Sequence, residues 1–264
     1  MGKNLIYMVA VNHETSTFKN SDYAKYAKLA WKFWCKRNEI DLIVIDKHND
    51  KYTFPIWNKL DVCDVGKGYD KIAIVDSDTM VHWDAPNPFD MIDSGIYGVQ
   101  DNANLRWLND SVNNYGGEFF PDFKIDLKKY INAGVVYLDN KSLPIYENLR
   151  EFYFENQEKL DNWNKGGGRE QTLFNFLLQK NNYDVKLLPP IWNLFAMHKK
   201  EMFSHNFQDG NDLSPHFVKY SWVWHFTGFP IEARTTIMRK TWNEYGVNYT
   251  DWKWSESDES KYRI

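Results

Sequence analysis

The stretch KIAIVDSDTMVHWDAPNPFDMI, residues 71–92, decides how the chain is interpreted. It opens with an apolar, β-branched run at 72–75, which predicts a buried strand. Two carboxylates one residue apart, Asp76 and Asp78, follow directly. Such carboxylates repel each other, and a hard divalent cation compensates them while leaving positions for phosphate oxygens. The pattern therefore indicates a metal-bridged phosphate site; alternatively, Asp78 caps the next segment and Asp76 is an ordinary surface residue.

The composition favours one globular unit. The chain has 264 residues, 43% of them hydrophobic, enough to bury a large core. We expect one domain over residues 1–250 and a polar tail at 251–264. The net charge is −4, with 32 basic residues dispersed among 36 acidic ones. A broad footprint on nucleic acid is not expected, although a local basic patch stays open.

Two cysteines, Cys35 and Cys63, lack metal-type spacing and are expected to be buried thiols. The N-terminal residues look like a first strand without a cleavage site. No apolar run reaches the roughly 18 to 20 residues of a membrane span. We therefore expect a soluble, cytoplasmic protein.

Periodicity predicts alternating strands and helices. Helical spacing of aromatic and alanine residues at 22–37 predicts an amphipathic helix, and residues 171–178 predict another. The short apolar runs predict strands at 5–11, 42–45, 72–75, 96–99 and 135–138. This order predicts an α/β fold with a mostly parallel sheet flanked by helices, whose ligands bind beyond the carboxyl ends of the strands.

The sequence from Asp76 to Thr79 also fits the D-x-D-x-T pattern of haloacid-dehalogenase-type phosphatases. There the first aspartate would be the nucleophile and the second an acid or base. That chemistry also needs a later lysine and a second acidic metal pair, and no such pair follows residue 78. The phosphatase is kept as an alternative.

Four segments in a fixed order carry a stronger resemblance: VDSDTMV (75–81), YINAGVVYLDN (130–140), REQTLFN (169–175) and WHFTGF (224–229). From residue 6 to about 234 the chain resembles the A-type, Rossmann-like glycosyltransferases. It is most similar to the retaining, manganese-dependent kind, glycosyltransferase family 8, which includes glycogenin and bacterial lipopolysaccharide galactosyltransferases. The resemblance implies a single GT-A-type domain that transfers a sugar from a nucleotide sugar, most often UDP-linked, to an acceptor hydroxyl.

The resemblance also implies site residues. Asp76, Asp78 and His225 would hold Mn²⁺ or Mg²⁺, whose positive charge stabilises the leaving diphosphate. His225 lies among aromatic residues, so a core histidine is the alternative. Three residues would act at the sugar itself: Gln171 near the anomeric carbon, with Glu170 and Asp101 at the hydroxyl groups. The implied donor-binding set is Ala10, Val11, Asn12, Lys59, Asp76, Ser77, Asp78, Asn132, Ala133, Gly228 and Arg234.

Two departures from the family pattern stand out. Glu170 takes the place of the family's aspartate. Ile231 stands where relatives carry a lysine that holds the diphosphate, so Arg234 or Lys240 would have to substitute for it. Gly134, in the N-A-G-V element, is expected to let the backbone approach the ligand closely.

Two further alternatives concern function. A non-catalytic carbohydrate-binding protein on the same fold would keep the aromatic residues but lose the metal ligands. A sugar-nucleotide pyrophosphorylase would need a glycine-rich N-terminal loop, which the chain lacks. The acceptor is expected to be a glycan or another hydroxyl compound, with nucleic acid less favoured. Residues 102–125 and 198–220 are the expected acceptor segments, with Trp107, Tyr115 and Phe119 able to stack on a sugar.

Overall fold

The computed structural model describes residues 2–12, 22–195, 200–205 and 213–250. The predicted tail at 251–264 lies outside them. The strands of the described residues are β1 (Asn4–Val9), β2 (Asp41–Ile45), β3 (Lys71–Asp76), β4 (Thr79–Val81), β5 (Ile96–Gln100), β6 (Ile131–Asp139), β7 (Val185–Leu187) and β8 (Val223–His225). Their helices are α1 (Ala24–Arg37), α2 (Val62–Val65), α3 (Leu105–Phe119), α4 (Pro144–Glu155), α5 (Gln157–Asp161), α6 (Glu170–Lys180), α7 (His216–Tyr220) and α8 (Ile231–Thr250).

Six strands form the main sheet in the order β2-β1-β3-β6-β5-β7. The β1–β2, β1–β3 and β5–β7 pairs are parallel, whereas β6 runs antiparallel to both of its neighbours. The predicted mixed, mostly parallel α/β sheet is confirmed. Because β6 is reversed, its first residues lie at the edge where β3 and β5 end.

Side chains of each strand alternate between two apolar layers, as the two-residue period of a strand requires. In β1, Ile6 and Met8 belong to the layer that contains α1 and α8. Leu5 and Tyr7 belong to the opposite layer, which contains α3, α4 and α6. The central strands are thus covered on both faces, which explains their continuous apolar sequence.

A second, two-stranded sheet lies beside the carboxyl end of β3. Here β4 pairs antiparallel with β8, and Thr79 lies opposite His225. Neither strand was predicted from the sequence, since each has only three residues. This small sheet joins the D-x-D segment to the H-x-x-G segment.

The predicted strands and helices are present, with ends that differ by a few residues. Most of the expected acceptor segment 102–125 is helix α3, which was not predicted from the sequence. Asparagine, serine and glycine are poor helix formers, and α3 is stabilised by burying Leu108 and Tyr115. At 1% exposure, Tyr115 is a core residue and cannot stack on a sugar, whereas Trp107 is 36% exposed.

Cys35 and Cys63 are free and buried, as predicted. Among the described residues, no helix combines the length and apolar character that crossing a bilayer demands.

His82, the residue that follows β4, packs among tryptophan rings. Its ring stacks on Trp83 at 3.8 Å and meets Trp222 and Trp224 edge-on. Burial lowers the pKa of His82 to about 4, outweighing the opposing effect of Asp84, from an ordinary 6.5. A lowered pKa means that the folded protein favours the neutral ring, so its stabilisation is complete above about pH 6.5 and is lost as the pH falls through about 4.

We therefore expect the free energy of unfolding of His82→Phe, which keeps an aromatic ring, to depend less on pH below pH 6.5 than that of the wild type. The measurement is the free energy of unfolding of both proteins by urea titration between pH 7 and pH 4. Relative to the variant, the wild type should lose stability with a slope of up to about 1.4 kcal/mol per pH unit. Parallel profiles for the two proteins would contradict the assignment.

Candidate functional site

The D-S-D segment forms a tight turn between β3 and β4. Asp76 is the last residue of β3, and Ser77 and Asp78 make the turn. The Thr79 hydroxyl donates to the Asp76 carbonyl oxygen at 2.7 Å and accepts a hydrogen bond from the Trp31 indole N–H at 3.0 Å. These two bonds fix the direction in which the carboxylates leave the sheet.

The small sheet brings His225 to this turn. The backbone N–H of Phe226 donates to the Asp78 carbonyl oxygen at 2.9 Å. The His225 Nε2 atom then lies 3.2 Å from Asp78 Oδ1 and 4.0 Å from Asp76 Oδ2. One ligand atom from each of the three residues lies within 4.8 Å of the others. The predicted ligand set therefore converges.

The donor set of this cluster fits a divalent cation. Asp76 turns Oδ2 toward the imidazole and Oδ1 toward Lys59 Nζ, at 2.6 Å. Asp78 turns Oδ1 toward the imidazole and Oδ2 toward Arg234 Nη1, at 3.0 Å. Each carboxylate thus keeps one oxygen for the centre of the cluster, and two oxygens with one imidazole nitrogen form a mixed donor set that suits Mn²⁺ better than Mg²⁺, which prefers oxygen ligands.

The charges around Asp78 favour its ionised form. Burial by itself would raise the pKa of this carboxyl group. His225, Arg234 and Lys59 together outweigh burial and hold the pKa well below its usual range. Asp78 is therefore ionised at neutral pH, as a metal ligand must be.

Lys59 is a buried cation between two carboxylates. It is 3% exposed, contacts Glu170 Oε1 at 3.0 Å, and lies 3.4 Å from the Ala133 carbonyl oxygen. Burial opposes its charge, but Asp76 and Glu170 outweigh burial and raise its pKa. Burial raises the pKa of Glu170, with Asp76 adding to the effect and Lys59 opposing it. Lys59 is therefore not a solvated surface residue, because its ammonium group is enclosed.

The group that closely approaches Gly134 is the His225 ring. A Cβ atom at Gly134 would overlap the ring at Cε1 and lie 2.8 Å from Nδ1. The expectation that this glycine admits a ligand therefore needs a correction: it makes room for the imidazole.

Two of the three residues predicted at the sugar, Gln171 and Asp101, form one buried hydrogen-bonded group with Asn132 and Ala133, whereas Glu170 pairs with Lys59. The Gln171 amide nitrogen donates to Asp101 Oδ2 at 2.9 Å, and its oxygen accepts the Ala133 backbone N–H at 3.0 Å. Asn132 Nδ2 also donates to Asp101 Oδ2, at 3.1 Å. Because β6 is reversed, Asn132 and Ala133 reach the same sheet edge as Asp101, which follows β5. Asp101 is therefore a buried residue and not a solvated surface carboxylate.

A cleft of about 410 Å³ opens over the cluster. Of the two residues that could replace the missing lysine, Arg234 lines this cleft. Lys240 does not line it and is exposed farther along α8. Five residues of the predicted donor-binding set are not among the lining residues: Ala10, Asn12, Asn132, Ala133 and Gly228. The residues that line the cleft are Val9, Val11, Tyr23, Phe54, Pro55, Ile56, Lys59, Asp76, Ser77, Asp78, Gly167, Gly168, Arg169, Glu170, Thr227 and Arg234.

Three residues of this region were not predicted from the sequence. Tyr23 lines the cleft, and the Arg234 guanidinium lies 5.2 Å from its ring centroid. Arg169, with φ of 41°, occupies the left-handed region that favours glycine, and it lies over the Phe54 ring. Asn193 accepts a hydrogen bond from His225 Nδ1 at 3.0 Å. Each depends on tertiary placement, which has no local sequence signal.

The contact between Gly134 and His225 leads to a prediction about their coupling. Gly134→Ala should destabilise the protein by about 1–3 kcal/mol, because a methyl group is forced against the ring. In a His225→Ala background the ring is gone, so the same substitution should cost much less. Urea unfolding of the two single variants and the double variant gives the coupling free energy.

Gly68→Ala is the matched control, because a Cβ atom there meets nothing within 4 Å. Its effect should stay within about 0.5 kcal/mol. Additive effects of Gly134→Ala and His225→Ala would refute the steric account.

Comparisons with known proteins bear on the fold. A scan against protein-family models and a search of curated protein sequences both find no match.

Solved structures do match. A glycosyltransferase involved in glycosylation of the major capsid of PBCV-1 is 13% identical, covers 90% of this chain and 99% of its own, and has a TM-score of 0.56. The bifunctional glycosyltransferase WbbM is 14% identical over 86% of this chain and 46% of its own, with a TM-score of 0.50. The galactosyltransferase LgtC, in complex with donor and acceptor sugar analogues, is 13% identical over 91% of this chain and 99% of its own, with a TM-score of 0.47. From the first two, the chain has the mixed, mostly parallel α/β fold of A-type glycosyltransferases.

Proposed function

We propose that this protein is a metal-dependent glycosyltransferase that moves a sugar from a nucleotide-sugar donor, UDP-linked, to an acceptor hydroxyl with retention. The observation that carries the proposal is the convergence of Asp76, Asp78 and His225 beside a cleft that the two aspartates line together with Lys59 and Arg234. The fold shared with glycosyltransferases supports it.

The cofactor of this proposal is Mn²⁺ or Mg²⁺. When bound, the cation neutralises the negative charge that develops on the leaving nucleoside diphosphate. Asp76, Asp78 and His225 would hold it, and their mixed oxygen and nitrogen donors favour Mn²⁺.

Arg234 takes the role of the lysine that relatives carry after H-x-x-G. Its guanidinium group is buried at the cleft, where it already binds one carboxylate oxygen of Asp78. Arginine suits this role because its planar group can bind phosphate and carboxylate oxygens together. Lys59 acts differently, since it aligns Asp76 and Glu170 and offsets their repulsion.

The sugar lies, in this proposal, between Glu170 and the group formed by Asp101, Gln171, Asn132 and Ala133. Both ends of the Gln171 amide are hydrogen bonded, so it positions the sugar and does not act as a nucleophile. The anomeric carbon–oxygen bond to the diphosphate breaks as the acceptor oxygen bonds the same face. The acceptor proton passes to the departing phosphate oxygen, and the products are a glycoside and the nucleoside diphosphate.

The nucleoside would lie along the end of β1. Val9 and Val11 line the cleft there, next to Ala10 and Asn12. The Ala10 backbone N–H donates a hydrogen bond to the Ile45 carbonyl oxygen at 2.8 Å, and this bond holds the segment in line with the sheet. Ser77 and Gly228 lie beside the diphosphate in this arrangement.

The acceptor would approach from the side of Trp107, in the first turn of α3. A Cβ atom at Gly168, in the cleft wall, would lie 2.9 Å from the Trp107 ring, so the indole borders the cleft. Within the described part of 198–220, the Phe203 ring lies 5.9 Å from Phe229, which follows Gly228. We propose a glycan or other hydroxyl acceptor, and the slightly acidic charge makes nucleic acid the weaker choice.

The alternatives have less support. A non-catalytic carbohydrate-binding protein predicts a broken metal set, whereas all three ligand side chains converge. The haloacid-dehalogenase-type phosphatase is not favoured, because the fold is shared with glycosyltransferases.

The direct test uses the purified full chain with a panel of nucleotide sugars and Mn²⁺. A donor that binds the folded state should raise the melting temperature by mass action. The same donor should slowly release its nucleoside diphosphate even without acceptor. A protein that cleaves simple phosphomonoesters with Mg²⁺ but ignores every nucleotide sugar would contradict the proposal.

Asp78→Asn is expected to lower donor turnover by about 100-fold or more. The amide keeps the shape of the side chain and an oxygen for Arg234, so the fold should remain. Asp50→Asn, at an exposed position, is the matched control and should retain wild-type turnover. Nucleoside diphosphate release with saturating Mn²⁺ is the measurement, and near-normal release by Asp78→Asn would refute the metal role.

Arg234→Ala and Lys240→Ala distinguish between the two basic residues of α8 that could replace the missing lysine. Removal of Arg234 should weaken donor binding by about 10-fold or more, because a charge-assisted hydrogen bond contributes about 1.5–3 kcal/mol. Removal of exposed Lys240 should leave it unchanged. Titration calorimetry with the donor and Mn²⁺ measures both, and equal affinities for the two variants would argue against the assignment of Arg234.

A further inference from the structure

We propose that Asn193 is a positioning residue that fixes His225 with its proton on Nδ1 and its Nε2 lone pair turned toward the two aspartates. The inference rests on the proposed function, since it concerns the ligand set that would hold the cation. It adds a residue from outside the four sequence segments to the machinery of the site.

In the hydrogen bond between His225 and Asn193, only the imidazole can be the donor. His225 Nδ1 lies 3.0 Å from Asn193 Oδ1. An amide oxygen accepts hydrogen bonds and cannot donate them, so the imidazole must carry its proton on Nδ1. In the neutral ring, Nε2 is then the unprotonated nitrogen, and it faces Asp78 Oδ1 at 3.2 Å.

The orientation of the Asn193 amide is itself fixed by Asn132. Asn193 Nδ2 donates to Asn132 Oδ1 at 3.0 Å, and that oxygen also accepts the backbone N–H of Gly134 at 2.9 Å. A backbone N–H is always a donor. At its other end, Asn132 Nδ2 donates to Asp101 Oδ2 at 3.1 Å, and an ionised carboxylate only accepts. If either amide group were rotated so that its oxygen and nitrogen exchanged places, two donors or two acceptors would face each other.

The relay, meaning the hydrogen-bonded side chains of Asp101, Asn132, Asn193 and His225, is shielded from water. The exposed fractions of Asn132, Asn193 and His225 are 6%, 1% and 2%. A buried amide or imidazole N–H left without a hydrogen-bond partner is unfavourable, so the wrong ring orientation is penalised.

The backbone places Asn193 beside β8. The Leu194 N–H donates to the Val223 carbonyl oxygen at 2.8 Å, and the His225 N–H donates to the Leu194 carbonyl oxygen at 3.1 Å. These bonds hold the two side chains in register. The geometry is therefore built by the main chain and does not depend on a flexible contact.

A metal-binding histidine gains orientation and basicity from an acceptor on its second nitrogen, and loss of that acceptor typically costs 10- to 100-fold in metal affinity. We expect Asn193→Leu, which keeps the approximate size but has no acceptor, to weaken Mn²⁺ binding by about 10- to 100-fold. Asn193→Asp keeps an acceptor for Nδ1 but loses the donor to Asn132, so it should retain more Mn²⁺ affinity than Asn193→Leu.

The measurement is the amount of free Mn²⁺, read from its electron paramagnetic resonance signal during titration of the full chain without nucleotide. Asn140→Leu is the matched control. It removes a distant amide that donates to the Tyr69 carbonyl oxygen at 2.7 Å, so it should lower thermal stability and leave the Mn²⁺ affinity unchanged.

Wild-type Mn²⁺ affinity in folded Asn193→Leu would overturn the inference and leave the proposed function standing. Equal weakening by Asn193→Leu and Asn193→Asp would also overturn it, because shape and not the acceptor would then matter. If Asn193→Leu does not fold, Asn193→Ala, which removes the acceptor without adding bulk, decides: weaker Mn²⁺ binding than the wild type supports the inference, and wild-type affinity overturns it. Failure of the wild type itself to bind Mn²⁺ would remove the metal-dependent function as well.

Discussion

The pairing of β4 with β8 is the constraint on which the site depends. Asp76 and Asp78 are placed by the end of a central strand, but their partner imidazole comes from a distant part of the chain. The antiparallel register sets Thr79 opposite His225, and one further hydrogen bond joins Phe226 to Asp78. The pairing of these two short strands thereby brings His225 to the D-x-D aspartates, and the three side chains form one cluster.

Two basic side chains beside this cluster reduce the repulsion between the carboxylates of Asp76 and Asp78. Lys59 and Arg234 each bind the outer oxygen of one carboxylate, and the inner oxygens face the imidazole. Like charges in a partly buried site would otherwise raise the pKa of one member. The two basic residues therefore supply part of the compensation that a divalent cation between the inner oxygens would complete.

Local patterns predicted much of this arrangement. Apolar runs located the central strands, and the aspartates, His225 and Glu170 were recognised within short motifs. Asn193 had no such signal, because its role depends on a bridge from Leu194 to β8. Helix α3 was missed since its asparagine- and glycine-rich sequence disfavours a helix, and only burial against α6 compensates. Gly134 was noticed, but the group that needs its small size comes from another strand.

The order in which the chain is synthesised has a consequence for when the site is complete. All six strands of the main sheet lie before residue 188, whereas β8 begins at Val223. A ribosome releases the N-terminal part first, so the larger sheet can form while the histidine-bearing strand is still being made. A nascent chain can thus have the strands of its main sheet paired and still lack His225, so the three-residue cluster is complete only after one late, three-residue strand has been made.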